Sequence, residues 1–471
     1  MAPGALPLDR LRKFLRELPA GARALLMAEL ERAVLRGDEI PGGDMLLQEV
    51  RAAVRDSGEH APPRIGPPAR AFFRPLEPFL IDVRGDRKAP GRIARTALEP
   101  IWTWISRDLV PAESQAYCDS VTRALAAGEL EPPDPLVHSF QAFATARIRS
   151  MLEAAQSDEK VRRKMALLTA TPNVLDALRD VQVIVSARDT LDLIASRLPG
   201  HIRNLNEDTL NNIKALLDSP LCARDGLQPY TMIMVANRLA VPWHLIRIAV
   251  KAAETDNVAR LAASPYGMAV NITLGDIERM VEDLKSDLKR GRTVAVTSLL
   301  KCIHDAVRGV RTELDLSASS QWARQLAAIR SEISEVLTSE IESVPGRVRR
   351  LVRPRQLRDI ARGSVLDADE VSETEAMIGF IGACRNFAGE LATSEVTLRT
   401  FQEIQQYLDN GTRALLDALR MAGEDDRSFR KSQMDAAIKF CGQAFGQDYA
   451  ALLVKAADMA NNAERKVRAK A

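Results

Sequence analysis

The sequence predicts an all-α protein of several bundle-like or irregular helical layers, with a coiled-coil-like antiparallel block at 272–344 and a Pro-rich extended arm. Three observations carry this expectation. Apolar residues recur with the 3.6-residue helical period through nearly every ordered-looking stretch, and no run alternates convincingly with period two. Aromatics are only 4% of the 471 residues, so the core is filled by Leu, Ile, Val, Ala and Met, which suits helices packed on helices. Apolar residues at 46% and charged residues at 27% are the proportions of an ordinary globular chain, not of a disordered one.

Residues 1–56 read as N-terminal amphipathic helices. Leu8, Leu11, Leu15 and Leu18 are separated by Pro19 and Gly21 from Leu25, Leu26, Leu30, Val34 and Leu35, and Asp44 is placed to cap a short helix over 44–56. Residues 57–93 form a Pro/Gly-rich arm or linker. Pro62, Pro63, Pro67, Pro68, Pro75, Pro78 and Pro90 exclude regular helix over most of it. Its apolar island, Phe72, Phe73, Leu76, Phe79, Leu80 and Ile81, predicts an extended segment that lays rings onto a helical body.

A helical domain is expected over 94–265. Val181–Val185 is its one strand-like run, but no turn residues flank it, so it is read as helix despite the β-branched cluster. Trp102 and Trp104, just after Glu99 and Pro100, are read as anchors of a helix start in the core.

The clearest pattern is a three-helix bundle at 270–344. Ile277, Val281, Leu284 and Leu288 step by 4-3-4. Val296, Leu300, Ile303, Val307, Val310 and Leu314 repeat the step after Gly291, and Trp322, Leu326, Ile329, Ile333 and Val336 after Ser317–Ser320. Such spacing keeps one seam facing a partner helix. An Arg-rich then acidic connector follows at 345–371, and a C-terminal helical region at 372–465.

Lys and Arg number 65 against 63 Asp and Glu, a net charge of +2. A globally basic nucleic-acid binder is thereby excluded, and attraction to phosphate has to come from a local patch. The five cysteines, Cys118, Cys222, Cys302, Cys384 and Cys441, are widely spaced and give neither a disulfide framework nor a zinc pattern. Met1–Leu18 lacks a continuous apolar segment, and no window approaches 18 apolar residues. The expectation is a soluble, cytoplasmic protein without a transmembrane segment. Its Arg and Ala richness matches a GC-rich bacterial genome.

One stretch stands out for chemistry. Arg347, Arg349, Arg350, Arg353, Arg355, Arg358 and Arg362 are opposed within 345–362 only by Asp359. Clustered guanidinium groups bind phosphate or carboxylate in bidentate fashion, so these seven are the candidate polyanion-binding residues. Pro345 and Pro354 argue against a straight helix here, and Asp367, Asp369, Glu370, Glu373 and Glu375 are close enough in sequence to neutralise the segment. No aromatic residue interleaves with the arginines.

Residues 235–249 resemble a helix-turn-helix motif, with Ala236, Ala240, Val241 and Ile246 at its small, turn and apolar positions. The helix that would read bases is Trp243-His244-Leu245-Ile246-Arg247-Ile248, which offers chiefly His244 and Arg247 to base edges. Two packed helices meeting at Pro242 is the competing reading.

Catalytic constellations do not emerge. The sequence has no HExxH, CxxC or GxSxG, and no glycine-rich phosphate loop. Asp367–Glu370 starts like a calcium loop but lacks its Gly and Glu, and reads as an acidic first helical turn. No cofactor or metal is expected. The leading functional expectation is a non-enzymatic helical interaction, scaffold or regulatory protein with a protein partner or self-association. The alternatives are a nucleic-acid or polyanion binder using 347–362, and an enzyme whose site is assembled from distant residues.

Overall fold

The computed structural model describes residues 41–56, 65–82, 88–129, 131–169, 174–223, 226–289, 293–317, 319–356, 360 and 364–468, with scattered positions between 11 and 33. Nineteen α-helices make up nearly all the regular structure among the described residues. The helical class read from periodicity holds. The chain divides into two compact units, Met1–Asp276 with Gly309–Ser320, and Ile277–Arg308 with Gln321–Ala471.

In the first unit, α1 (Gly43–Asp56) turns Leu47, Val50 and Ala53 onto Leu15 and Leu30 in a small core of their own. The Pro-rich arm is less extended than its composition suggests. Residues Pro67–Phe73 form α2, and Arg74–Phe79 continue as a 3₁₀ helix. Both start with proline in the first turn, where a missing N–H costs nothing because that donor has no intrahelical partner. The rings go where the island predicts: Phe72, Phe73, Leu76 and Phe79 are all buried. Among the described residues of the arm the strands are β1 (Leu80–Ile81) and, pairing with it in parallel, β2 (Ile93–Ala94).

Next come α3 (Leu98–Trp104), a π-helical turn (Ile105–Leu109), α4 (Pro111–Ala126) and α5 (Asp134–Ser157). Their rings surround the arm. The Phe72 centroid lies 5.6 Å from Trp102 and 5.7 Å from Phe140, on which Tyr117 stacks at 4.2 Å. A polar rivet accompanies this cluster. Buried Gln141 donates to the Phe72 carbonyl at 2.8 Å and accepts from Arg188 at 3.2 Å, and Arg188 also grips both oxygens of Asp134. The Arg188 hydrogen bond holds the Asp134 carboxyl below the usual carboxylate range.

Helices α6 (Glu159–Thr169), α7 (Val174–Ser186), α8 (Arg188–Arg197) and α9 (Glu207–Leu217) follow. The β-branched run lies inside α7, with Val181, Ile184 and Val185 buried together. Helices α10 (Gln228–Arg238), α11 (His244–Ala253) and α12 (Val258–Ala263) complete this unit's own helices. The motif-like stretch spans α10 and α11. Leu245, Ile246, Ile248, Ala249 and Ala252 of α11 are buried, and its exposed Arg247 is bonded to Glu313 at 3.0 Å. The would-be reading helix is committed to packing.

Helices α13 (Met268–Lys289) and α14 (Thr293–Glu313) supply residues to both units, while α15 (Gln321–Val352), α16 (Ala368–Phe387), α17 (Ser394–Arg420), α18 (Arg427–Phe445) and α19 (Gln447–Arg468) belong to the second. Side-chain pairs fix directions within the second unit. Gln325 reaches Glu278, and Lys285 pairs with Glu332, so α13 and α15 run the same way. Arg330 donates to the Glu390 carbonyl while Arg347 faces Glu373, so α16 runs against α15. Glu342 and Arg349 meet Arg399 and Glu403, so α17 returns parallel to α15. Gln405 donates to the Ala444 carbonyl and Arg427 to those of Ala422 and Asn461, making α18 antiparallel to α17 and to α19. Helices α15 to α19 therefore form an up-down-up-down-up bundle.

The apolar stripe of the third helix differs from the expected pattern at one position. On α15 one buried stripe runs through Trp322, Leu326, Ile329, Ile333, Leu337, Ile341, Val344, Val348 and Leu351, with Pro345 and Val352 buried beside it, Leu337 in the core and Val336 only half-buried. Eight steps over the 29 residues of this stripe average close to 3.6 residues, the period of an α-helix. The helix also continues through Pro345, which is buried with Val344 and Val348. A missing bond to the Ile341 carbonyl costs about 3 kcal/mol or more, and packing of the last two turns into the bundle offsets it. Among the described residues no helix is long and apolar enough to cross a membrane.

Candidate functional site

The arginine stretch closes α15 and turns into the following loop. Arg349 and Arg350 occupy the last helical turn, where positive charge complements the helix C-terminus. Three of the cluster are used internally. Arg347 lies 3.7 Å from Glu373, Arg350 pairs with Glu370, both on α16, and Arg349 pairs with Glu403 on α17. Local neutralisation thus comes partly from the acidic stretch beside it and partly from a helix far along the chain. Asp367 itself is the N-cap of α16, accepting from the Asp369 amide at 3.0 Å, and Asp369 and Glu370 fill the first turn. That is the acidic helix start expected of them.

Arg353 and Arg355 differ from the rest. Both are exposed, and neither forms an ion pair with a carboxylate among the described residues. Arg358 and Arg362 lie outside the described residues. The Arg355 guanidinium sits 5.1 Å above the ring of Phe429 on α18, and that of Arg349 lies 6.0 Å from the ring of Tyr407 on α17. Burial pushes the Tyr407 hydroxyl up, while Arg349 and Arg353 pull it down. Aromatic partners absent from the local sequence are therefore supplied by other helices, 58 to 74 residues along the chain.

The backbone under these arginines is pinned by one side chain. Gln433, fully buried on α18, donates to the Leu351 carbonyl at 3.1 Å and to the Arg353 carbonyl at 2.9 Å. These are groups that a helix C-terminus leaves without intrahelical partners. Among the described residues the Gln433 Oε1 atom has no hydrogen-bond partner. Farther along, the Ser432 hydroxyl accepts from the Leu366 amide and Ser428 donates to the Ser364 carbonyl, so the loop is stitched to α18 on both sides.

The first unit brings together a different set. Lys88 pairs with Asp180 on α7, which also accepts from the Tyr230 hydroxyl on α10 at 2.6 Å. Arg92 reaches Asp276 at 3.3 Å. Between them Gly91 has φ +65°, and a Cβ there would meet Ile233 Cδ1 at 2.6 Å. The set works as a clip that seats residues 88–92. Burial draws the Lys88 ammonium down to about 8, although its side chain is still 29% exposed. Competitive acetylation should therefore reach half its limit on Lys88 near pH 8, against an ordinary lysine near 10.4. The folded value lies below the unfolded one, so this group makes stability rise with pH between about 8 and 10.5. A Lys88 reactivity profile that overlays those of the surface lysines would refute the burial effect.

A groove of about 580 Å³ lies between α9 and the end of α11, lined by Leu210, Asn211, Lys214, Ile248, Lys251 and Glu254 among others. Its lysines are spoken for. Lys214 bonds Asp218 at 3.1 Å and the Ala252 carbonyl at 3.0 Å, and Lys251 meets Glu207 at 3.4 Å. Among the described residues no group of three or more His, Cys, Asp or Glu is arranged to hold a metal ion. No family model, curated protein or solved structure matches the chain.

Proposed function

We propose that the protein works by docking and not by catalysis, as a helical interaction or scaffold protein whose C-terminal bundle engages an acidic partner surface at the end of α15. One observation supports the reading: charge is left over after internal pairing. Arg347, Arg349 and Arg350 have carboxylates facing them, whereas Arg353 and Arg355 are exposed without one, on a backbone held by Gln433. Guanidinium forks in that state suit bidentate contacts to carboxylate or phosphate.

Retention on immobilised heparin tests the edge. The wild-type protein should be held at low salt and released as salt rises, because exposed charges are screened. The Arg353→Ala/Arg355→Ala variant should elute at clearly lower salt with an unchanged helical circular-dichroism spectrum. Identical elution of the two proteins would exclude this edge as the docking surface.

A further inference from the structure

We propose that the partner engaged at this edge is a single-stranded nucleic acid, with Arg353 and Arg355 on its phosphates and Tyr407 beside a base. The proposal rests on the docking reading and names its chemistry. Two features point to a phosphate-bearing strand over a carboxylate-rich protein surface. The two guanidinium groups that face no carboxylate flank Pro354, which disfavours the helical region for Arg353 and sets successive side chains along a non-helical chain. Among the described residues the Tyr407 hydroxyl has no hydrogen-bond partner, and its half-buried ring lies 6.0 Å from the Arg349 guanidinium, with the charge of Arg353 also acting on its hydroxyl. An aromatic ring framed by arginines is the pairing that single-strand binders use, with stacking on the ring and charge on the backbone.

The exposed residues of 347–356 also speak against a bilayer. Arg349, Arg350, Arg353, Arg355 and Gln356 are polar, while Val348, Leu351 and Val352 are buried in the bundle. Pro354 is the sole exposed apolar side chain of that stretch, so nothing there would enter a lipid interface.

The test is fluorescence polarisation of the full chain with a fluorescein-labelled oligothymidine of about 20 nucleotides, over a salt series. Binding should weaken with salt, with a slope of about −0.7 for each phosphate contacted. Arg353→Ala/Arg355→Ala should lower that slope by about 1.4, the share of two contacts. Tyr407→Leu should weaken binding at least about fivefold with the slope retained, since stacking is worth about 1–3 kcal/mol per base. Arg413→Ala, an exposed arginine paired with Asp409 on α17, serves as the unaffected control.

Three outcomes overturn the proposal. They are no oligonucleotide binding at low salt, equal binding by the double arginine variant, and binding to phosphatidylserine vesicles that the oligonucleotide does not displace. If heparin retention still depends on Arg353 and Arg355 in any of these cases, the docking reading stands and the nucleic acid alone is wrong. If that dependence is absent too, both fall.

Discussion

Gly309→Ala is expected to destabilise the protein by about 2–3 kcal/mol, the upper part of the range for overpacking. Helix propensity predicts the opposite sign. Gly309 lies inside α14, and in an exposed helix interior alanine is favoured over glycine by about 0.8–1.0 kcal/mol. Space decides the matter. A Cβ on Gly309 would stand 2.3 Å from Cε3 and 2.5 Å from Cδ2 of Trp243, far inside van der Waals contact with the indole. Those atoms are not the free end of a flexible chain. The indole would have to move as a plate, and Trp243 sits at the N-cap of α11, with its Nε1 already buried and unpartnered. Urea denaturation of the single variant measures the loss. Trp243→Leu in the Gly309→Ala background should recover part of it, because the smaller side chain removes the collision. A Gly309→Ala protein as stable as wild type would show that the indole is not seated against this glycine.

Asp426→Ala should cost more, about 3–5 kcal/mol. Arg430 donates to Asp426 Oδ2 at 3.1 Å, and the two side chains are only 9% and 5% exposed. The pair itself contributes little net stability, since desolvating both ions offsets much of their attraction. Removing one partner is different. It leaves a guanidinium in the bundle interior with no counter-charge. Asp426→Ala/Arg430→Met should therefore be more stable than Asp426→Ala alone, and urea unfolding of the four proteins in the cycle reads the coupling. A single-variant loss under 1 kcal/mol, or no recovery in the double variant, would mean that water reaches this pair in the folded state.

The fold was legible where one periodic signal dominated. The helices around Ile277–Leu284, Val296–Leu314 and Trp322–Ile333 follow from apolar spacing alone, because each buries one stripe. Proline was the poorer guide, in both directions. At Pro67 and Pro75 it starts helices, and at Pro345 it sits inside one. The same ring that costs a hydrogen bond also fixes φ at a helical value, and packing of Val344, Val348 and Leu351 decides which effect prevails.

The candidate edge was half legible. Arginine density marked its location, but not which arginines are spent. Glu403, Tyr407, Phe429 and Gln433 are 54 to 82 residues from their partners, and only the bundle topology brings them together. One local signal was available. Gln433 falls on the same helical face as Phe429, Ala436 and Phe440, an amide among buried apolar positions, which marks a polar group with an internal task.

Gln433 has a kinetic consequence. A strand or peptide that recognised a floppy arginine loop would have to order that loop as it bound, and side chains immobilised on binding each cost about 0.5–1.5 kcal/mol. Here the Leu351 and Arg353 carbonyls are already held by the amide, and Arg355 already rests on Phe429. Much of that ordering was done when the bundle folded. If a ligand docks at the edge as proposed, its association should be governed by electrostatic encounter, with a rate that tracks ionic strength, and differences among ligands should appear chiefly in how long each one stays.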